Sequence, residues 1–272
     1  MESMKRCYRV PAETLVTPSA RTIRLPRSDS DRAVLVLHGY TGYTGDMRFL
    51  SEHLYDAGFS VLAPRLPGHG TNSVDFRTTG AREWWRGAVE GYLELADGHR
   101  EVMVAGLSMG AVLTVLVAAR FPVKRVALLA PALDFVNRLV PLTPWLGFLI
   151  RPYRKNEGGT DSTDLPDDPE RAYLTREYWD WNWPRQAGQL YRLARRARQD
   201  LSRVTAPALT ITARNDGAVP LAVADRIRRC IGAGEQEYIV LEESDHVITS
   251  GAEKERVAEA VREWFLRRDA FR

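Results

Sequence analysis

Cysteine is scarce in this chain: Cys7 and Cys230 are the two present, and neither belongs to a C-x-x-C pair. That spacing excludes zinc and thiol-redox motifs. Cys230 falls on the apolar face of a predicted helix and is expected as a buried structural thiol. Excess charge of one sign is also lacking, with 38 Lys and Arg against 35 Asp and Glu. Nucleic-acid binding would need a focused basic stripe, so no nucleic-acid partner is expected. The locally basic stretch Arg192–Arg203 has no neighbouring stacking aromatics and reads as a solvated helix face. No apolar run is long enough to span a bilayer. The most apolar segment outside the strands, Leu139–Ile150, is short and interrupted by Pro141 and Pro144. The first residues contain no apolar signal-peptide core, so a cytoplasmic address is expected. Low-complexity tracts and internal repeats are absent as well.

What is present is an ordinary globular composition, 44% hydrophobic and 27% charged over 272 residues, enough for one large core. Cys7–Val10 and Arg21–Leu25 alternate weakly around Pro18 and Ser19 and predict a short hairpin. From Ala33 onward, short apolar runs alternate with amphipathic stretches. Ala33–Leu37, Ser60–Ala63, Val102–Ala105, Val126–Ala130, Ala208–Thr212 and Tyr238–Leu241 read as strands buried on both faces. Between them, helices are predicted around Met47–Ala57, over Glu83–Ala96 (stripe Trp85, Ala88, Val89, Tyr92, Ala96), over Ala111–Ala119 and over Leu221–Ile231. Glu253–Arg267 closes the chain as another amphipathic helix. This alternation implies an α/β fold, a mostly parallel central sheet flanked by helices. The rhythm breaks between Ala132 and Val204, where Trp145, Trp179, Trp181 and Trp183 cluster with several tyrosines, the acidic loop Asp161–Glu170 and a helix over Arg185–Leu201. Residues 132–204 are therefore expected as an inserted helical cap, with 1–131 and 205–272 forming the core.

One stretch carries chemistry. The strand Val102–Ala105 runs into Gly106-Leu107-Ser108-Met109-Gly110, and an apolar helix follows. Strand, sharp turn and helix is the setting in which G-x-S-x-G exposes a serine at the carboxyl end of a sheet. A serine hydroxyl is a poor nucleophile until a base takes its proton and a third group orients that base. Asp216 and then His246 follow later strands at the same end of the sheet, giving the order Ser…Asp…His. Other histidines fit less well. His53 lies within a helix, His99 sits at the opposite end of the sheet, His69 lies in a Pro-Gly-His-Gly turn, and His38 suits a loop-shaping role. Asp134, after the strand preceding the cap, is the substitute acid, while Asp245 adjoins His246 and points elsewhere. Two backbone donors are needed for an oxyanion. Met109, after the nucleophile, and Tyr40, in His38-Gly39-Tyr40-Thr41-Gly42, are the candidates.

Five motifs in order carry a resemblance: His38–Gly42, Leu66-Pro-Gly-His-Gly-Thr71, Gly106–Gly110, Asp216 with Val219-Pro220, and Ser244-Asp-His246-Val-Ile-Thr249. Together they resemble the bacterial carboxylesterase and monoacylglycerol lipase group of the α/β-hydrolase superfamily, from about Ala33 to the C-terminus and least in the cap. The resemblance implies a triad of Ser108, Asp216 and His246, an oxyanion hole at Tyr40 and Met109, and no metal or cofactor. Ala111 departs from the group, many of whose lipases have a second glycine after the elbow. The cap is also longer and richer in tryptophan than in the simplest relatives.

The expected activity is hydrolysis of carboxylic esters of short- to medium-chain acyl groups or of monoacylglycerols. The alternatives are a non-catalytic ligand-binding protein on the same fold, or a thioesterase or C–C bond hydrolase. Epoxide hydrolases and haloalkane dehalogenases are disfavoured, since they carry Asp at the elbow. Trp145, Phe148, Trp179 and Trp181 are candidate contacts for an apolar acyl chain; the competing reading is that cap aromatics only hold the cap to the body. Leu139–Ile150, flanked by Arg138, Arg151, Arg154 and Lys155, leaves contact with a membrane surface open. Oligomeric state is not legible.

Overall fold

The computed structural model describes residues 14–155 and 168–267. The apolar runs form one seven-stranded sheet among these residues. Its strands are β1 (Ile23–Leu25), β2 (Arg32–Leu37), β3 (Ser60–Ala63), β4 (Glu101–Leu107), β5 (Val126–Leu129), β6 (Ala208–Ala213) and β7 (Gln236–Leu241). They lie in the order β1-β3-β2-β4-β5-β6-β7. Every pairing is parallel except that of β1 with β3.

The order explains where function gathers. The chain leaves β2 for β3 on one side and returns to place β4 on the other. The carboxyl ends of β2 and β4 thus flank the point where the winding reverses, the crevice in which open parallel sheets bind ligands.

Alternate side chains of the central strands feed two cores, as a doubly covered sheet requires. Val34, Val36, Met103 and Ala105 pack with Leu50 and Leu54 of α1 (Arg48–Asp56) and with Val261, Trp264 and Phe265 of the terminal helix, Lys254–Leu266. Leu35, Leu37, Val102 and Val104 face the other way. They join α2 (Ser73–Thr78), α3 (Ala81–Gly98) and α4 (Met109–Ala118). All ten residues of α4 are buried, which is why it shows no polar face in the sequence.

Between β5 and β6 the described residues hold a short helix α5 (Thr143–Leu146), then α6 (Pro169–Leu174) running into a π-helical turn (Thr175–Trp179). A two-residue ladder pairs Tyr153–Arg154 with Trp181–Asn182, and α7 (Pro184–Asp200) follows. Gly147 and Gly188 permit the close crossing of α5 and α7. A Cβ on Gly188 would sit 2.7 Å from the Thr143 carbonyl oxygen. The remaining helix of the core, α8, covers Val223–Cys230, and the terminal helix is α9.

Several expectations are corrected. Ile23–Leu25 pairs antiparallel with β3 in three register pairs; its predicted hairpin partner Cys7–Val10 lies outside the described residues. The predicted Ala88, Val89 and Tyr92 of α3 are buried, together with Trp84 and Leu95, whereas Trp85 is half-buried and Ala96 exposed. The core-facing stripe is centred one residue before Trp85 and Ala96, on Trp84, Ala88 and Leu95. Cys230 is exposed at the last position of α8, past the buried Val223 and Ile227. Most of the loop Asp161–Glu170 lies outside the described residues. No helix among the described residues is long and apolar enough to cross a membrane.

Candidate active site

The elbow is built by contact distances that only glycine meets. A Cβ on Gly110 would lie 2.0 Å from the Leu37 carbonyl oxygen, and one on Gly106 would lie 2.2 Å from the Gly110 carbonyl. The helix α4 can therefore start directly against β2. Ser108 bridges strand and helix at φ +56°, ψ −111°, a left-handed backbone that costs a non-glycine residue about 1–3 kcal/mol. Its N–H donates to Leu129 C=O at 2.8 Å, and its carbonyl accepts from Val112 and Ala132. Those three bonds span β5, α4 and the chain beyond β5, and they hold the strain in place.

His246 lies in the loop after β7 and Asp216 in the loop after β6. The Ser108 Oγ to His246 Nε2 distance is 2.9 Å, and His246 Nδ1 lies 2.8 Å from Asp216 Oδ2. The other Asp216 oxygen accepts from the Ala218 and Val219 amides at 2.8 and 2.9 Å. Burial acts to raise the Asp216 carboxyl, but the hydrogen bond and charge of His246, with the two amides, outweigh it and hold the group below the usual carboxylate range. An ionised Asp216 obliges His246 to carry its proton on Nδ1 and turn a bare Nε2 to Ser108. That arrangement can remove the hydroxyl proton.

The competing residues are occupied elsewhere. Asp134 is engaged by Arg226 at 2.6 Å and Arg198 at 3.7 Å. Asp245 accepts from the Val247 amide in a local turn. His53 bonds Glu259 across α1 and α9, and His99 bonds the Leu95 carbonyl. His38 shapes its loop in a definite way. Its Nε2 accepts the Leu66 N–H at 3.0 Å, so Nδ1 carries the proton and donates to Gly39 C=O at 3.0 Å. Burial lowers this imidazole to about 4, against the opposing pull of the Gly39 carbonyl. His69 packs edge-on against it with ring centres 4.9 Å apart.

The loop after β2 passes beside the elbow. A Cβ on Gly39 would lie 3.4 Å from Ser108 Cβ and 4.0 Å from its Oγ. Tyr40 follows immediately, and Met109 is the first residue of α4. Among the described residues, neither the Tyr40 nor the Met109 amide donates to a backbone carbonyl outside the regular elements.

The four aromatic candidates separate into two pairs. Trp145 and Phe148 are 61% and 69% exposed, on the outer surface around α5. Trp179 and Trp181 spend their indole N–H groups on the Thr41 and Arg176 carbonyls. The Trp179 bond ties the chain between β5 and β6 to the loop after β2, whereas the Trp181 bond closes within its own segment, on the turn Thr175–Trp179. Sequence pattern alone did not distinguish these roles, because a tryptophan that donates to a carbonyl and one that meets a ligand look alike in a string. No group of three or more His, Cys, Asp or Glu residues that could hold a metal ion occurs among the described residues.

A parallel sheet with a strained serine at its switch point, facing histidine and aspartate from later strand ends, defines a hydrolase-type α/β protein. The chain belongs to the alpha/beta hydrolase family, whose model matches residues 34–260. It is similar to a carboxylesterase of Bacillus subtilis (strain 168), 28% identical over 256 residues covering 94% of this chain and 99% of the relative. It is also 32% identical over 235 residues to the thermostable monoacylglycerol lipase of Bacillus sp. (strain H-257), covering 86% and 90% of the two chains. Among solved structures, that of the metagenome-derived lipolytic enzymes LipS and LipT superimposes with a TM-score of 0.79 at 28% identity, covering 91% of this chain and 97% of the other.

Proposed function

We propose that the protein hydrolyses carboxylic esters through an acyl-enzyme, with Ser108 as nucleophile, His246 as general base and acid, and Asp216 as the group that orients His246. The single observation carrying this reading is the unbroken hydrogen-bonded line Ser108–His246–Asp216 at 2.9 and 2.8 Å. Ser108 Oγ attacks the ester carbonyl as its proton passes to His246 Nε2. The tetrahedral oxyanion takes hydrogen bonds from the Tyr40 and Met109 amides. Collapse breaks the bond to the alcohol, which leaves with the proton from His246. Water, deprotonated by the same nitrogen, then attacks the acyl carbon and releases the acid and Ser108.

Residues 132–204 act in this reading as a cap that selects the substrate; the names of two relatives favour carboxylic esters or monoacylglycerols, and short- to medium-chain acyl groups are the proposed range. The test is an acyl-chain series of p-nitrophenyl esters and monoacylglycerols, run alongside fluorophosphonate labelling. Labelling at Ser108 with ester turnover is expected. Labelling with turnover confined to thioesters would move the reading to a thioesterase, and no labelling would favour a ligand-binding protein.

A specific observation favours contact with a lipid surface as well. Leu139, Phe148 and Leu149 are between 66% and 69% exposed, with Leu142, Trp145, Leu146 and Ile150 also open to solvent. Apolar side chains grouped in this way and flanked by Arg138, Arg151, Arg154 and Lys155 suit an interface of acyl chains and anionic headgroups. Sedimentation with phosphatidylglycerol vesicles is expected to carry the protein down, and Phe148→Asp with Leu149→Asp to release it. A protein that stays in the supernatant with such vesicles contradicts this contact.

A further inference from the structure

The residues from Tyr178 to Trp183 reach back to the loop after β2 at two points. Trp179 Nε1–H donates to the Thr41 carbonyl at 2.6 Å, and the Tyr40 hydroxyl donates to the Trp183 carbonyl at 3.2 Å. The Trp179 ring also packs 5.3 Å, centre to centre, from Tyr43. The segment delivering this indole is the π-helical turn Thr175–Trp179, a local widening of the helix that is frequent at functional sites.

Gly39–Gly42 is a four-residue turn, closed by Gly42 N–H on Gly39 C=O at 3.2 Å. Its third residue, Thr41, has φ +56°. A left-handed residue at that position calls for glycine or asparagine, and β-branched residues are strongly disfavoured there. The Thr41 hydroxyl donates to the Tyr40 carbonyl at 2.7 Å. The Thr41 carbonyl itself is held from outside the loop, by Trp179. If Thr41 relaxed to negative φ, the Gly42 amide would leave Gly39 C=O. The peptide joining Gly39 to Tyr40 would then turn, and the Tyr40 N–H, antiparallel to that carbonyl, would turn with it.

We propose that Trp179 is a positioning residue for the Tyr40 amide, its indole N–H keeping Thr41 left-handed so that the oxyanion donor stays beside Ser108. Trp179 then acts through the loop rather than as a substrate contact, and the segment between β5 and β6 becomes a condition for catalysis. The inference rests on the serine-hydrolase reading above.

Trp179→Phe removes the N–H and keeps an aromatic ring against Tyr43. It is expected to lower kcat for a short p-nitrophenyl ester by roughly 10- to 100-fold, the scale of a misplaced catalytic group, with KM nearly unchanged. The rate of fluorophosphonate labelling at Ser108 should fall in proportion. Adding Thr41→Gly, which makes the left-handed turn easy without a tether, should restore a substantial part of both rates. A purely structural or substrate-contact role predicts no such rescue. Unchanged kcat in Trp179→Phe overturns the proposal, as does a loss confined to KM or a loss that Thr41→Gly leaves untouched. A circular-dichroism melt of each variant separates misfolding from misplacement. If wild-type protein neither labels nor turns over ester, the serine-hydrolase reading fails on its own. The backbone amide resonance of Tyr40 then decides the positioning claim: Trp179→Phe is expected to shift it, and an unmoved resonance overturns the claim.

Discussion

Ser108→Ala is expected to lower kcat on a p-nitrophenyl ester by roughly 10⁴- to 10⁶-fold while the protein stays folded, and Asp216→Asn by about 10⁴-fold. The two losses have different causes. Alanine at 108 removes the attacking oxygen, so no acyl-enzyme forms and only binding and the oxyanion donors can act. Asparagine at 216 retains an acceptor oxygen for the Ala218 and Val219 amides, which now hold the aspartate at 2.8 and 2.9 Å. It cannot oblige His246 to carry the proton on Nδ1, because a neutral amide also offers an N–H to that nitrogen. The imidazole is then free to present a protonated Nε2 to Ser108, and the base is lost. Fold should survive both changes. Ser108 owes its place to backbone bonds with Leu129, Val112 and Ala132, which alanine keeps. Alanine also tolerates the left-handed backbone about as poorly as serine, so little stability changes hands. Steady-state kinetics with a thermal melt of each variant checks the pair. Turnover of Ser108→Ala within tenfold of wild type would remove Ser108 as the nucleophile. An Asp216→Asn enzyme of normal activity would move the acid elsewhere, and the ion pairs at Asp134 already argue against that residue.

The parts legible in the sequence are those dictated by local chemistry. Ala33–Leu37 and Val102–Ala105 read as strands because residues buried on both faces leave no polar alternation, and both lie in the sheet core. Ser108, Asp216 and His246 were each found at a strand end, since loops at those ends are where a parallel sheet presents polar side chains. What escaped were features set by distant partners. Ile23–Leu25 pairs with β3 through register alone, and nothing in its own residues names that partner. The hydrogen bond of Trp179 to the Thr41 carbonyl joins residues 138 apart in the chain, and nothing in its local sequence marks that partner. Thr41 itself was silent for the opposite reason. A turn with a left-handed third residue announces itself by glycine, and here threonine stands in that place.

Acid is expected to weaken the fold between about pH 6.5 and pH 4, and the buried pair His38 and His69 is the source. Burial depresses the His38 imidazole from 6.5 to about 4 in the folded chain. In that window the unfolded chain binds the proton and the folded chain does not. Stability is therefore fully present above the unfolded value and is lost as pH falls through the folded one. A shift of that size is worth about 3 kcal/mol. His69 acts in the same direction, since burial and then the neighbouring His38 hold it well below its ordinary value. Its protonation is resisted locally too: Nδ1 already donates to the Pro67 carbonyl, and among the described residues the buried Nε2 meets no acceptor. Protonating His38 would turn its Nε2 from acceptor to donor against the Leu66 N–H and undo the clasp between the loops after β2 and β3. One group opposes the trend. Burial raises Asp46 to about 6, partly offset by the Tyr43 amide it accepts. A carboxyl raised in the folded chain contributes stability below its unfolded value, and that contribution is lost as pH rises through about 6. Asp46→Asn keeps the acceptor and removes this counter-current, so the histidine effect stands alone. The carboxylates held low act in the same direction as the histidines but further into acid: Asp216 from its unfolded value of 3.8 downward, and Glu253 from 4.5 toward about 2, so that only the upper edge of the Glu253 transition enters this window. Urea midpoints of Asp46→Asn should thus fall steadily from pH 7 to pH 4.5, and adding His38→Gln should flatten that slope by about half or more. A midpoint constant across the window, or a slope indifferent to His38→Gln, would contradict this account of the clasp.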